Sequence, residues 1–195
     1  MLKNDKWIKK MSTERGMISP FCQTQIREVQ HKNSCGLKKI VSFGTSSYGY
    51  DMRLSDEFMV MSKLPDGSVL DPKNSCESFF EKLQVIDFIT VYPNSTVLGR
   101  SIEYFNIPRD VLAISFGKST YARCGIVVNI TPLEPEWEGF VTLAISNINN
   151  IPVKIYTNEG IAQVLFLQSD DVCEVSYSDR KGKYNNQKNI AFAKI

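Results

Sequence analysis

Apolar and polar residues alternate along most of this chain at the spacing of strands rather than of helices. Residues 116–147 carry the clearest case. A turn at Gly117, Lys118 and Ser119 leads into alternating β-branched residues, the chain turns again through Pro132, Pro135 and Gly139, and a second strand returns, which predicts a hairpin. On the returning strand Val141, Leu143 and Ile145 share one face while Thr142, Ala144 and Ser146 share the other. The first face reads as core. The second is small and polar, as expected of a strand that lines a cavity.

The same reading extends in both directions. Asn4 and Asp5 can cap a short helix in which Trp7, Ile8 and Met11 fall at helical spacing and Lys6, Lys9 and Lys10 face solvent, with residues 14–16 ending it. Residues 18–21 read as extended, and 23–39, polar and poorly patterned, as loop with some short structure. Strands are predicted at 40–43, 50–54 and 57–61, with a turn-rich segment at 44–49, a tight turn at Pro65, Asp66 and Gly67, and a loop at 71–75. Residues 79–87 fit strand or helix equally. Further strands are expected at 88–92 and 96–100 around a turn at 93–95, at 101–105 and 111–116 around 107–110, and at 153–156 and 162–167 around a turn at 158–160. Turns this frequent leave no room for crossover helices, so the expected fold is mainly antiparallel β, a distorted barrel or jelly roll with a short amino-terminal helix. Residues 176–188 lack apolar periodicity and read, on their own, as a flexible tail.

Composition narrows the function. With 195 residues, 43% of them hydrophobic, the chain is long enough for one domain with a substantial core, and no linker or repeat divides it. The 23 basic and 21 acidic residues are too balanced for a nucleic-acid surface. Cys22, Cys35, Cys76, Cys124 and Cys173 are odd in number and never spaced as C-x-x-C, which argues against a disulfide framework or a zinc site and for a reducing cytoplasm. Neither a membrane-spanning apolar run nor a signal peptide is visible.

Candidate chemistry clusters at the start of the hairpin. Lys118, Ser119, Thr120 and Arg123 place two cations and two hydroxyls within six residues, a set suited to phosphate, although taken alone either cation could equally pair with Glu134, Glu136 or Glu138. His31 is the lone histidine and lies in an unpatterned stretch, where it reads as a surface residue. The H-x-E and P-C-x-x-C signature of zinc deaminases is absent.

The run G-K-S-T-Y-A-R, the P-E-W-E-G turn and the strand V-T-L-A resemble the dCTP deaminase family. The resemblance extends through S-S-Y-G-Y-D at 46–51, G-I-A-Q at 160–163 and G-K-Y-N-N-Q at 182–187, and so covers nearly the whole chain. It implies a single dUTPase-like domain over 1–195 and a homotrimer with nucleotide sites between subunits. The implied reaction is metal-free hydrolysis of dCTP to dUTP and ammonia. Magnesium is expected to travel with the triphosphate, zinc is not expected, and dTTP is a possible feedback inhibitor. By the same resemblance residues 118–123 (Lys118, Ser119, Thr120, Tyr121, Ala122, Arg123) bind substrate, with Ser119 and Arg123 also polarising the water. Glu134 orients the site, and Thr142, Leu143, Gln163, Tyr177, Lys183 and Gln187 contact nucleotide. Residues 176–195 then close over it, contrary to the reading as a free tail. One departure matters: where the family has its catalytic Glu, the proton donor and acceptor, this chain has Ala144. An otherwise intact motif suggests a carboxylate replaced by design, in a chain that binds dCTP but turns it over at near-background rate. The alternatives are a dUTP pyrophosphatase, disfavoured because residues 125–129 carry no Asp, a bifunctional enzyme doing both, which stays open, and a non-catalytic nucleotide-binding protein.

Overall fold

The amino-terminal helix forms where its capping residues predict. In the computed structural model, which describes residues 1–30, 36–74 and 77–194, α1 spans Asp5–Arg15. The Asn4 side chain accepts from the Trp7 N–H, and Gly16 closes the helix at φ 65°, a left-handed conformation that a residue without Cβ adopts freely. Ile8 is fully buried, and Trp7 lies 6.2 Å from the ring of Phe166.

Twelve strands follow in the described residues: β1 Ile18–Ser19, β2 Ile26–Gln30, β3 Leu37–Ser46, β4 Gly49–Met61, β5 Phe80–Gln84, β6 Phe88–Val91, β7 Thr96–Asn106, β8 Val111–Gly117, β9 Ile126–Asn129, β10 Glu138–Asn147, β11 Val153–Tyr156 and β12 Gly160–Gln168. A single helical turn, α2, occupies Ser119–Ala122, and a 3₁₀ turn Glu77–Phe79. Ten strands make one sheet in the order β2-β3-β4-β7-β10-β9, to which β12 adds by pairing with both β4 and β8, while β5 joins β4 and β1 joins β7; β6 and β11 form a separate pair. Every strand pairing is antiparallel. The expected β architecture is present, as a branched sheet rather than a closed barrel.

Several local expectations are corrected. Residues 23–39 contain β2 and the start of β3, a two-stranded ribbon that sequence read as loop because its outward residues Arg27, Glu28, Lys38 and Lys39 give no apolar alternation. The segments 50–54 and 57–61 are one strand, β4, with an irregular register against β7 between Leu54 and Phe58. Likewise 96–100 and 101–105 are both β7. Residues 79–87 are largely strand. Strands adjacent in sequence need not pair: β6 bonds to β11, and β8 to β12. His31, Cys35, Cys76 and part of the 71–75 loop lie outside the described residues.

The core lies against the apolar faces of these strands, with Tyr50, Phe58, Phe105, Leu143, Ile145 and Phe166 fully buried. An ion pair is buried with it. Glu103 on β7 accepts from the Arg53 Nε at 2.7 Å and the Arg53 N–H at 2.8 Å, tying β4 to β7. Burial outweighs the nearby guanidinium and holds the Glu103 carboxyl above its ordinary range. Among the described residues no helix is long and apolar enough to cross a membrane.

Candidate functional site

The predicted hairpin forms, with β9 and β10 paired so that Ala144 faces Asn129 and Asn147 faces Ile126. Strand alternation sets its chemistry: Val141, Leu143 and Ile145 are buried, and Thr142, Ala144 and Ser146 are partly exposed on the other face. Leu143 therefore gives its side chain to the core and has only backbone to offer a ligand. Ala144 lies across from Leu98 on its other side, so neither cross-strand neighbour of position 144 is a carboxylate.

Residues 118–123 form a compact turn. The Lys118 carbonyl accepts from the Tyr121 and Ala122 N–H groups, both at 3.0 Å, and so begins α2. Lys118 does not reach the glutamates of the 134–138 turn. Its Nζ donates to Asp51 Oδ2 at 2.7 Å and to Ser42 Oγ at 3.2 Å, and only 12% of its side chain is exposed. Arg123 is placed differently. It is exposed and its Nη1 donates to the Ser119 carbonyl at 3.0 Å, within the same turn. Ser119 and Ala122 lie on this turn, while Thr120 opens onto a cavity of about 550 Å³ beside Arg27, Lys38, Lys39 and Glu159. Tyr121 is buried, its hydroxyl accepting from the Tyr156 N–H at 3.0 Å; burial pushes the phenol up to about 12. Its side chain holds α2 to β11 instead of facing ligand. Gln163 lies on β12 opposite Phe116 of β8, and its Nε2 donates to Ser46 Oγ at 3.0 Å. Since β12 is paired on both sides, Gln163 is not an edge residue.

A second group of expected residues meets elsewhere. Glu134, Thr142, Tyr177, Lys183 and Gln187 all line a cavity of about 690 Å³, together with Leu133, Trp137, Tyr184 and Phe192. That volume is ordinary for a small-molecule site. The carboxy-terminal residues form its wall, because Gln187 is sewn to β10: its carbonyl accepts from the Phe140 N–H at 2.8 Å, and its Nε2 donates to the Phe140 carbonyl at 2.8 Å and to Thr142 Oγ1. Trp137 Nε1 donates to the Tyr184 carbonyl at 2.8 Å, and the Tyr184 N–H to the Tyr177 hydroxyl at 3.0 Å. The segment that read as a free tail is thus a strap. It lacks apolar periodicity because hydrogen bonds do most of the holding and its apolar contacts, Tyr177 and then Ile190, are not spaced as a face. Gly139, at φ 146°, lets it approach: a Cβ there would stand 2.7 Å from the Gln187 nitrogen.

Ion pairs fasten the strap's near end. Arg109 reaches Glu136 at 2.8 Å and Asp179 at 2.7 Å, and Arg180 pairs with Glu134. The Arg109 guanidinium holds the Asp179 carboxyl down at about 2.

The two cavities share no lining residue, and no residue of 118–123 lines the larger one. Sequence reasoning gave no role to Asp51, Ser42, Gln25, Arg109 or Arg180. Asp51 carried a usable signal, as an acidic side chain on a strand of Tyr50, Met52 and Leu54; its pairing with Lys118, 67 residues away, did not.

Comparison with known proteins follows the same lines. A family model for dCTP deaminase-like proteins matches residues 1–169. The chain belongs to this family. It is 54% identical over 189 residues to the dCTP deaminase of Ectopseudomonas mendocina, covering 97% of this chain and 96% of that one. It is 53% identical over 193 residues to that of Pseudomonas paraeruginosa, covering 99% and 98%. Its fold is similar to the crystal structure of 2'-deoxycytidine 5'-triphosphate deaminase from Agrobacterium tumefaciens at a TM-score of 0.60 and 12% identity. That match covers 86% of this chain and 48% of the longer one. For a dCTP deaminase-like chain, magnesium is the implied metal. The described residues offer no grouping of three His, Cys, Asp or Glu side chains, and Asp51, the acid nearest the 118–123 turn, is already bonded to Lys118 and Gln25. The donor set does not fit a protein-held magnesium.

Proposed function

We propose that this chain binds dCTP at a site of the metal-free hydrolytic type and deaminates it to dUTP and ammonia only at a rate near background. The observation that carries this reading is position 144. It lies on the small, partly exposed face of β10, where a carboxylate would project beside Thr142, and Ala offers no proton acceptor. Removing the cytosine amino group requires a water activated beside the ring carbon, a proton delivered to the ring and stabilisation of the tetrahedral intermediate. Ser119 and Arg123 supply polarisation and charge stabilisation, and with Thr120 they grip the triphosphate. Any magnesium is carried by the phosphates, and no step runs through it. The group that should shuttle the proton is the one missing. Glu138 shares the parity of Ala144 but lies about 20 Å along the strand, and here it is at the strap, its N–H bonded to Asn185 Oδ1 at 2.9 Å.

The separation of the two residue groups supports a homotrimer in which the 118–123 turn of one subunit faces the strap cavity of another. The exposed Leu112 (36%), Phe116 (58%) and Val127 (45%) on β8 and β9 provide apolar surface for that contact. A dUTP pyrophosphatase is disfavoured because β9 carries Asn129, not an acid, across from position 144. The reading keeps the chain in a reducing cytoplasm, with dTTP as a candidate regulator. Thermal stabilisation by dCTP, dUTP and dTTP, set beside ammonia release, tests binding and turnover separately. Light scattering that gives a monomer at micromolar concentration would overturn the trimer.

A further inference from the structure

We infer that Lys118 is a positioning residue, not a phosphate ligand: with Asp51, Ser42 and Gln25 it forms a buried clamp that aims Ser119 and Arg123. The inference rests on the reading of 118–123 as the nucleotide-binding turn. Lys118 Nζ stands 2.7 Å from Asp51 Oδ2, and the same oxygen accepts from Gln25 Nε2 at 2.9 Å. The Lys118 and Asp51 side chains are 12% and 3% exposed. Ser42 Oγ, at 3.2 Å, completes the ammonium's contacts from β3. The lysine stem crosses Gly160, where a Cβ would meet the Ser42 carbonyl oxygen at 2.0 Å and Lys118 Cδ at 3.1 Å, so the clamp closes only over a residue without a side chain.

The backbone of the same residue is tied as firmly. The Lys118 N–H donates to the Ile161 carbonyl at 3.0 Å, and its own carbonyl starts α2. Fixing Lys118 therefore fixes the turn from which Ser119 and Arg123 project. To reach a phosphate, Lys118 would have to abandon a buried carboxylate and leave it with only a neutral donor, a costly exchange. Arg123, exposed and bonded only within its own turn, faces no such cost. The two cations of the motif have different tasks, and Gln25, just before β2, and Ser42 of β3 enter the site.

The two roles for Lys118 predict opposite signs for one substitution. If Lys118 were a phosphate ligand merely resting on Asp51, Asp51→Asn would free the cation and tighten dCTP binding. If the pair is a clamp, Asp51→Asn lets the turn drift and weakens it. Calorimetric titration with dCTP should give a loss of about tenfold or more for Asp51→Asn, and for Lys118→Met, with no further loss in the double variant, as one shared interaction requires. Lys118→Arg, which keeps a cation on Asp51, should recover most of that loss. Ser42→Ala, a small change that leaves the ion pair and supplies the test should Asp51→Asn fail to fold, should weaken dCTP by about threefold. Unchanged or tighter binding in Asp51→Asn or Ser42→Ala would overturn the clamp. A parent chain that gives no dCTP binding at all would overturn the functional reading beneath it, a distinct result visible before any variant is made.

Discussion

The two regions that carry the expected nucleotide contacts are built on different principles. The 118–123 turn is set into the sheet: β8 before it is paired with β12, Lys118 is clamped to β3 and β4, and Tyr121 is buried against β11. The strap at 176–194 has no regular secondary structure and is held by hydrogen bonds to β10, by exposed ion pairs and by a few apolar contacts, Ile190 being buried and Phe192 lying 5.2 Å from the ring of Phe80. Segments of the second kind open locally at lower free energy than paired strands. The contrast is between a rigid turn set into the sheet and an attached segment able to open on its own. Between them lies β10, whose half-exposed face gives Thr142 to the strap and also carries Ala144.

The largest effect expected concerns that shared strand. Ala144→Glu restores a proton acceptor on the half-exposed face, and general acid–base assistance is worth about a hundred- to ten-thousandfold. Ammonia release from dCTP should rise by at least that range. A restored variant no faster than the parent, or a parent that already turns over briskly, would place the carboxylate elsewhere.

Next in size is the rigid side of the comparison. Arg123 is the exposed cation of the turn, bonded only to the Ser119 carbonyl, and on the proposed reading its contact with a triphosphate is charge-assisted. Arg123→Ala should weaken dCTP by about 2–5 kcal/mol, the cost of losing a closely held charge partner, with little change in melting temperature. Equal affinity by calorimetry would remove Arg123 from the site.

Legibility in the sequence follows the same division. The parity of β10 was readable because alternation alone decides which residues share a face, and α1 was readable because Asn4 and Gly16 signal its ends locally. The β2–β3 ribbon was not, since both of its strands are largely exposed and carry charge where a half-buried strand would carry apolar residues. The phosphate reading of Lys118 came from its local neighbours; its ion pair with Asp51 could not be read, because only the sheet brings that carboxylate close. The attachment of the strap was invisible to periodicity, because backbone and side-chain hydrogen bonds to β10 leave no regular spacing in the sequence. Sequence thus named the candidate residues, while long-range pairing decided which of them keep uncommitted side chains.

A smaller effect separates the strap from the turn directly. At φ 146°, Gly139 occupies backbone space that side chains rarely enter, and a Cβ there would collide with Gln187. Gly139→Ala should cost about 1–3 kcal/mol of stability and dislodge the strap, so that protease cuts within residues 177–190 faster while the 118–123 turn stays protected. Unchanged cleavage would mean that the strap does not depend on this approach.

The smallest expected effect is one of pH. Asp179 is held at about 2 in the folded chain, first by the Arg109 guanidinium and then by the Ser176 N–H, against an ordinary value of 3.8. A carboxyl whose folded value is depressed contributes stability that is complete above the unfolded value and lost as pH falls through the folded one. The fastening should therefore be intact above about pH 4 and fade between about 4 and 2. Trp137, whose Nε1 donates to the Tyr184 carbonyl, reports on strap attachment, and its fluorescence should change across that window before the sheet unfolds. Because both partners are substantially exposed, added salt should weaken the fastening. In Arg109→Ala the transition should move upward toward the ordinary carboxylate range, since the main cause of the depression is gone. A transition that stays in place in that variant would show that Arg109 does not fasten the strap, leaving the backbone bonds of Gln187 as its anchor.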